Sequence, residues 1–92
     1  MTDYERLRRT AEGLRGQFPS GTRIELIEME DDPNPIPPGT RGTVIGVDDI
    51  ASIMVDWDNG RSLSLVYGVD RYRILTNEEI NEEVEHKKGL IF

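Results

Sequence analysis

Val55, Asp56, Trp57, Asp58, Asn59, Gly60, Arg61, Ser62, Leu63, Ser64 and Leu65 alternate apolar and polar side chains on both sides of an Asn-Gly pair. This is the strongest short-range signal of a β-hairpin, because Asn and Gly accept the positive φ that a tight turn demands. Trp57 shares the alternation of Ile53 and Val55, so its indole is expected in the core. Asp56 and Asp58 flank it and are expected on the opposite face.

Working outward, four further runs read as strands. Residues 22–29 alternate through Ile24 and Leu26, then slip in phase to Ile27 and Met29, as a β-bulge would cause. Residues 42–47 form the second strand, 52–57 the third, 61–65 the fourth and 71–75 a short fifth. Gly42 and Gly46 fall where a strongly coiled strand must bend. Residues 30–38 are acidic and proline-rich, which makes a surface loop. Pro37, Pro38, Gly39 and Thr40 then form a turn with Pro fixing φ and Gly supplying a positive one. Tyr67, Gly68, Val69 and Asp70 suit a single helical turn. Five short strands in so few residues indicate a mainly β fold closed into a small barrel.

Helices flank it. Tyr4, Leu7, Ala11, Leu14 and Phe18 recur at steps of three and four, predicting an amphipathic helix over residues 2–15 with Gly16 and Pro19 as stops. That stripe is expected to cover the barrel, with a docking or dimer contact as its functional reading. Thr76 stands three residues before Glu79, a capping-box spacing, and Glu78, Glu79, Glu82 and Glu83 crowd the favourable end of the helix dipole. Ile80 and Val84 give this helix only a two-residue apolar stripe. It is therefore expected to be loosely held unless Leu90, Ile91 and Phe92 dock. The organisation is one domain in three parts: a helix over 1–18, a barrel over 19–76, and a helix and tail over 77–92.

The 92 residues carry 18 acids, 11 Lys and Arg, and no cysteine, for a net charge of −7. The missing cysteines exclude disulfides, thiolate metal sites and a cysteine nucleophile. Acidic balance argues against direct nucleic-acid binding, which depends on Lys and Arg displacing counterions. With no apolar run of membrane-spanning length and a charged start, the chain reads as cytoplasmic, with no membrane partner.

Pro38, Gly39, Thr40, Gly42, Thr43 and Val44, then Val47, Asp48 and Asp49, then Val55, Trp57, Asp58, Asn59, Gly60 and Leu63, then Gly68, Val69, Asp70 and Tyr72 resemble the DUF4314 family of small bacterial and phage-associated domains. The resemblance runs over about residues 19–75 and leaves both helices outside. It implies an SH3-like barrel; with the helices read above, the expected fold is a mainly β, five-stranded SH3-like barrel flanked by an N-terminal amphipathic helix and a short C-terminal one. It brings no catalytic residue and no cofactor with it.

The chemistry-bearing residues point the same way. Taking Asp56 as the first ligand of an EF-hand loop puts Tyr67 at the twelfth position, where Glu is required. Gly39, Gly42 and Gly46 lack the Lys-Ser/Thr of a phosphate loop. His86 is the single histidine, read as an exposed helix residue, and Ser62 and Ser64 have no neighbouring base. A non-enzymatic protein without metal or cofactor is expected. Tyr67 and Tyr72 are candidates for an aromatic peptide groove, with the acidic loop as a specificity loop. Candidate partner-binding residues are Glu30, Asp31, Asp32, Asp48, Asp49, Tyr67 and Tyr72. The expectation is a protein-interaction module, monomeric or homodimeric. The alternative is an acidic inhibitor, of anti-restriction or anti-CRISPR type, that occupies a nuclease's nucleic-acid channel with carboxylates in place of phosphates.

Overall fold

The computed structural model describes residues 3–30 and 32–89. Its elements run α1 (Asp3–Gln17), β1 (Arg23–Glu28), β2 (Arg41–Val47), β3 (Ser52–Trp57), β4 (Leu65–Val66), β5 (Arg71–Ile74) and α2 (Asn77–Gly89). The five strands form one antiparallel sheet in the order β4-β3-β2-β1-β5. The sheet is not closed: β4 and β5 are its edges, where the sequence reading expected a barrel.

Alternation sets the two faces. Ile24, Leu26, Val44, Ile53, Val55, Trp57 and Leu65 are buried together with Ala11 and Leu14 of α1, Phe18 just past its end and Ile36 of the β1–β2 loop. Arg23, Glu25, Arg41 and Thr43 occupy intervening positions and face the other way. Trp57 is 3% exposed, as its alternation requires. The bulge expected in the first strand is present, with Ile27 as the extra residue between the Leu26–Tyr72 and Glu28–Arg71 pairs. A second bulge places Ile45 between the Val44–Val55 and Gly46–Met54 pairs. Gly42 serves close approach rather than bending: a Cβ there would stand 2.7 Å from Val55 and 2.8 Å from the Trp57 ring.

Two hairpins use one loop geometry. Trp57 N–H donates to the Arg61 carbonyl and Gly60 N–H to that of Trp57, leaving Asp58, Asn59 and Gly60 as a three-residue loop with Gly60 at φ +88°. This is a type I turn followed by a left-handed residue, not a two-residue Asn-Gly turn. In the β2–β3 hairpin Ala51 occupies the left-handed position at φ +63°, a conformation that costs a residue with a Cβ about 1–2 kcal/mol. Two contacts hold it there. Its methyl is buried, and the Asp48 carboxylate accepts N–H bonds from Ile50 and Ser52.

Several boundaries differ from expectation for physical reasons. The fourth strand, expected over 61–65, is reduced to β4 plus one bridge, Asp56–Ser62. Between them the Leu63 carbonyl accepts the Trp57 indole N–H at 2.9 Å and leaves the ladder. The expected helical turn at 67–70 is a hydrogen-bonded turn with Gly68 at φ +84°, closed when Asp70 accepts Val66 N–H. Gly16 does not stop α1, which runs on to Gln17 before Pro19. Tyr4 and Leu7 are exposed, so only the C-terminal half of the stripe covers the core. The Pro37–Thr40 turn forms as expected.

Candidate functional site

The sequence-predicted partner-binding residues separate into two places. Glu30 N–H donates to Asp70 Oδ1, and Asp70 Oδ2 accepts Val66 N–H, so one buried carboxylate ties the acidic loop to the β4–β5 turn. Tyr67 projects from that turn, 54% exposed. Tyr72 lies nearby, partly buried and edge-on to Phe18 at 5.6 Å. Burial pushes its hydroxyl above the usual value, and Tyr67 and Asp70 add to the rise, so the three groups share one neighbourhood. Asp32 is partly buried and accepts Asn34 N–H within the loop. Arg61 clamps this loop from the hairpin turn by donating to the carbonyls of Asn34 and Pro35. Asp31 lies outside the described residues.

Asp48 and Asp49 stand elsewhere, in the β2–β3 turn. Asp48 caps that turn, and Asp49 accepts Arg15 Nη2 at 2.8 Å while Arg15 Nε donates to the Val47 carbonyl. Asp48 thus holds the turn itself, and Asp49 fastens α1 to the hairpin.

A third assembly was not foreseen. On the polar face of the sheet Arg41, Glu25 and Arg73 stand directly opposite one another across β2, β1 and β5. Glu25 reaches Arg41 at 3.3 Å and Arg73 at 3.4 Å. Over this row lies α2. Glu79 takes Arg73 in a two-bond fork at 2.8 and 2.7 Å and also reaches Arg41. Glu83 joins Arg41 at 3.1 Å to Arg23 at 2.9 Å. Asp58 closes the far end with a second fork on Arg23, so it serves the sheet face. Three guanidiniums and four carboxylates thus alternate, which is the arrangement that favours every charge in it.

The protonation equilibria agree. Asp58 and Glu83 raise Arg23 despite its burial, and Arg41 rises because bonds from Glu25 and Glu83 outweigh desolvation. Glu79 is held well below the carboxylate range, first by Arg73 and then by Thr76 N–H. That last contact is half of the expected capping box, completed by Glu79 N–H on Thr76 Oγ1 at 3.1 Å. The helix therefore makes ionic contacts with the sheet in addition to the two-residue apolar stripe read from the sequence. A groove of about 670 Å³ remains open between α2 and the sheet, lined by Arg23, Arg41, Thr43, Asp58, Ile80, Glu83 and Val84. Docking of Leu90, Ile91 and Phe92 lies outside the described residues, as does the side chain of His86.

Glu79 and Glu83 at helical spacing, with Arg23 and Glu25 at alternate positions of one strand, were a partial signal for this network that left their partners across the sheet unnamed. Asp56, once weighed as a cation ligand, instead accepts the Ser62 hydroxyl at 2.9 Å. No described helix is long and apolar enough to cross a membrane.

No curated protein and no solved structure matches the chain significantly. The family model described as a domain of unknown function, DUF4314, matches residues 7–75. It takes in most of α1, which the sequence reading had placed outside the shared pattern, and ends before α2. With three quarters of its length inside that match, the chain belongs to the DUF4314 family.

Proposed function

We propose that this protein is a non-catalytic interaction module of SH3-like architecture, an accessory protein of bacterial or phage origin, that takes an extended peptide along the edge formed by Tyr67 and Tyr72. One observation carries the reading. Tyr67 is more than half exposed in a turn that Asp70 ties to the acidic β1–β2 loop, so an aromatic surface and a negative one lie side by side. Aromatic side chains with a polar tip give large contact area at low entropic cost, and neighbouring acids favour Lys or Arg in the bound segment. The long loop after the first strand supports the SH3-like reading, since such domains place a specificity loop there.

A second reading has its own observation. Glu78, Glu82 and Glu85 form an exposed acidic row on α2, away from the arginines that hold Glu79 and Glu83. Such a row supports an inhibitor that enters the basic channel of a nuclease. One titration separates the two: the isotope-labelled chain against proline-containing decapeptides bearing Lys or Arg, followed by NMR. The peptide reading expects shifts centred on Tyr67 and Tyr72 and at least a ten-fold loss of affinity in Tyr67→Ala. Shifts confined to Glu78, Glu82 and Glu85, with affinity collapsing between low and moderate salt, would replace it by the second reading.

A further inference from the structure

We propose that the arginine face of the sheet, formed by Arg23, Arg41 and Arg73, is a docking site for an acidic helix of a partner protein bearing two carboxylates one turn apart, and that α2 occupies it as an intramolecular stand-in. This surface is separate from the tyrosine edge, so either proposal can fail alone.

Three observations meet here. The contacts between α2 and the sheet are ionic: Glu79 on Arg73 and Arg41, and Glu83 on Arg41 and Arg23. Its apolar residues contribute little, since Val84 is 49% exposed and the groove beneath it stays open. A helix that belonged to the core would close that space. Secondly, the site reads spacing as well as charge. Arg41 bridges Glu79 and Glu83, whose four-residue separation puts both on one helix face, while Arg73 and Arg23 receive the outer side of each. Forked guanidinium contacts fix a carboxylate's orientation in a way that a diffuse positive patch does not. Thirdly, the family match ends at residue 75, before α2 begins at Asn77. The three arginines fall within the shared region, whereas the helix that covers them does not.

Tethering explains why an acidic protein carries a basic face that stays hidden. A short link gives α2 an effective concentration on the order of millimolar at its own site. A competing helix must exceed that, or α2 must first be released.

The test uses the full chain and a fluorescent helical peptide with two Glu residues four apart in an Ala/Gln background. A control peptide has the same composition with the Glu residues five apart. In the Glu79→Lys/Glu83→Lys variant, α2 is repelled from the arginines. This variant is expected to bind the first peptide at least ten-fold more tightly than the wild type does, and ten-fold more tightly than it binds the control. Adding Arg41→Glu should abolish the difference. Trp57 fluorescence reports whether the sheet is intact, and Glu79→Gln/Glu83→Gln serves if charge reversal unfolds it. Equal affinity for both peptides overturns the proposal, as does binding unaffected by Arg41→Glu. A released variant that instead dimerises by exchanging α2 between copies, without taking the peptide, overturns it as well.

Discussion

The two helices sit on opposite faces of the same sheet and are attached by different forces. α1 delivers Ala11 and Leu14 into the core, with Phe18 directly after it, and adds an ionic clamp through Arg15. Water is excluded along its contact, so its attachment grows with apolar area and is indifferent to salt. α2 offers only a partly buried Ile80 and a half-exposed Val84 and depends on guanidinium-carboxylate pairs that remain partly solvated. Such pairs contribute little each and are screened by ions. The difference teaches that proximity to the sheet is not membership of its cooperative unit: α1 should unfold with it, and α2 should be able to leave it.

The largest expected effect tests the first half of that statement. Leu14 is 3% exposed, and Leu14→Ala should cost about 2–5 kcal/mol by lost burial and the cavity left behind. Urea unfolding followed through Trp57 would read it as a lower midpoint with an unchanged slope. A loss below about 1 kcal/mol would show that α1 is as peripheral as α2.

The capping box gives a smaller effect on the other side. Thr76→Ala removes the hydroxyl that accepts Glu79 N–H, a change worth about 1 kcal/mol of helix stability. It should speed amide hydrogen exchange in residues 77–85 while leaving the Trp57 unfolding midpoint nearly unmoved. If the midpoint falls as far as for Leu14→Ala, α2 belongs to the cooperative unit and the contrast fails.

How much of this was legible depended on whether the determining contact was local. The bulge at Ile27 showed as a phase slip, because Leu26 and Met29 cannot share one face of an unbroken strand. The bulge at Ile45 left no trace, since Val44, Ile45, Gly46 and Val47 are apolar or neutral on both faces and hide the change of phase. The late start of the fourth strand followed from the Trp57 indole drawing the Leu63 carbonyl out of the ladder, and alternation does not report where an indole N–H finds its acceptor. Among the candidate residues, Tyr67 and Tyr72 were readable as a pair of aromatics suited to one groove, but that Tyr67 is exposed and Tyr72 partly buried needed the fold. The turn-capping role of Asp48 and the Arg15 contact of Asp49 needed the fold. The arginine network was hidden for a related reason: Arg23 and Glu83 are 60 positions apart, and a helix judged by its apolar stripe alone looks unattached.

The finest test of the contrast is acid, and its sign follows from Glu79. In the attached state the Arg73 fork and the Thr76 N–H hold its carboxyl well below the usual 4.5, so the detached state takes up a proton first as pH falls. The stabilisation is therefore fully present above about 4.5 and is lost progressively as pH drops toward the depressed value. Arg23, Arg41 and Arg73 keep their charge throughout, their equilibria being raised rather than lowered. Arg73 and Arg41 become repulsive neighbours once Glu79, the carboxylate they share, is neutralised. Amide resonances of residues 77–85 should thus move toward coil positions between pH 4 and pH 2.5, ahead of any change around Trp57. Leu14 and Phe18 are apolar, and Tyr72, the ring against Phe18, stays neutral in acid because its hydroxyl is raised above its usual value, so α1 should follow the sheet. Simultaneous loss of both helices at one pH would mean that the ionic face and the apolar face are coupled through the sheet, and that α2 is held by more than its glutamates.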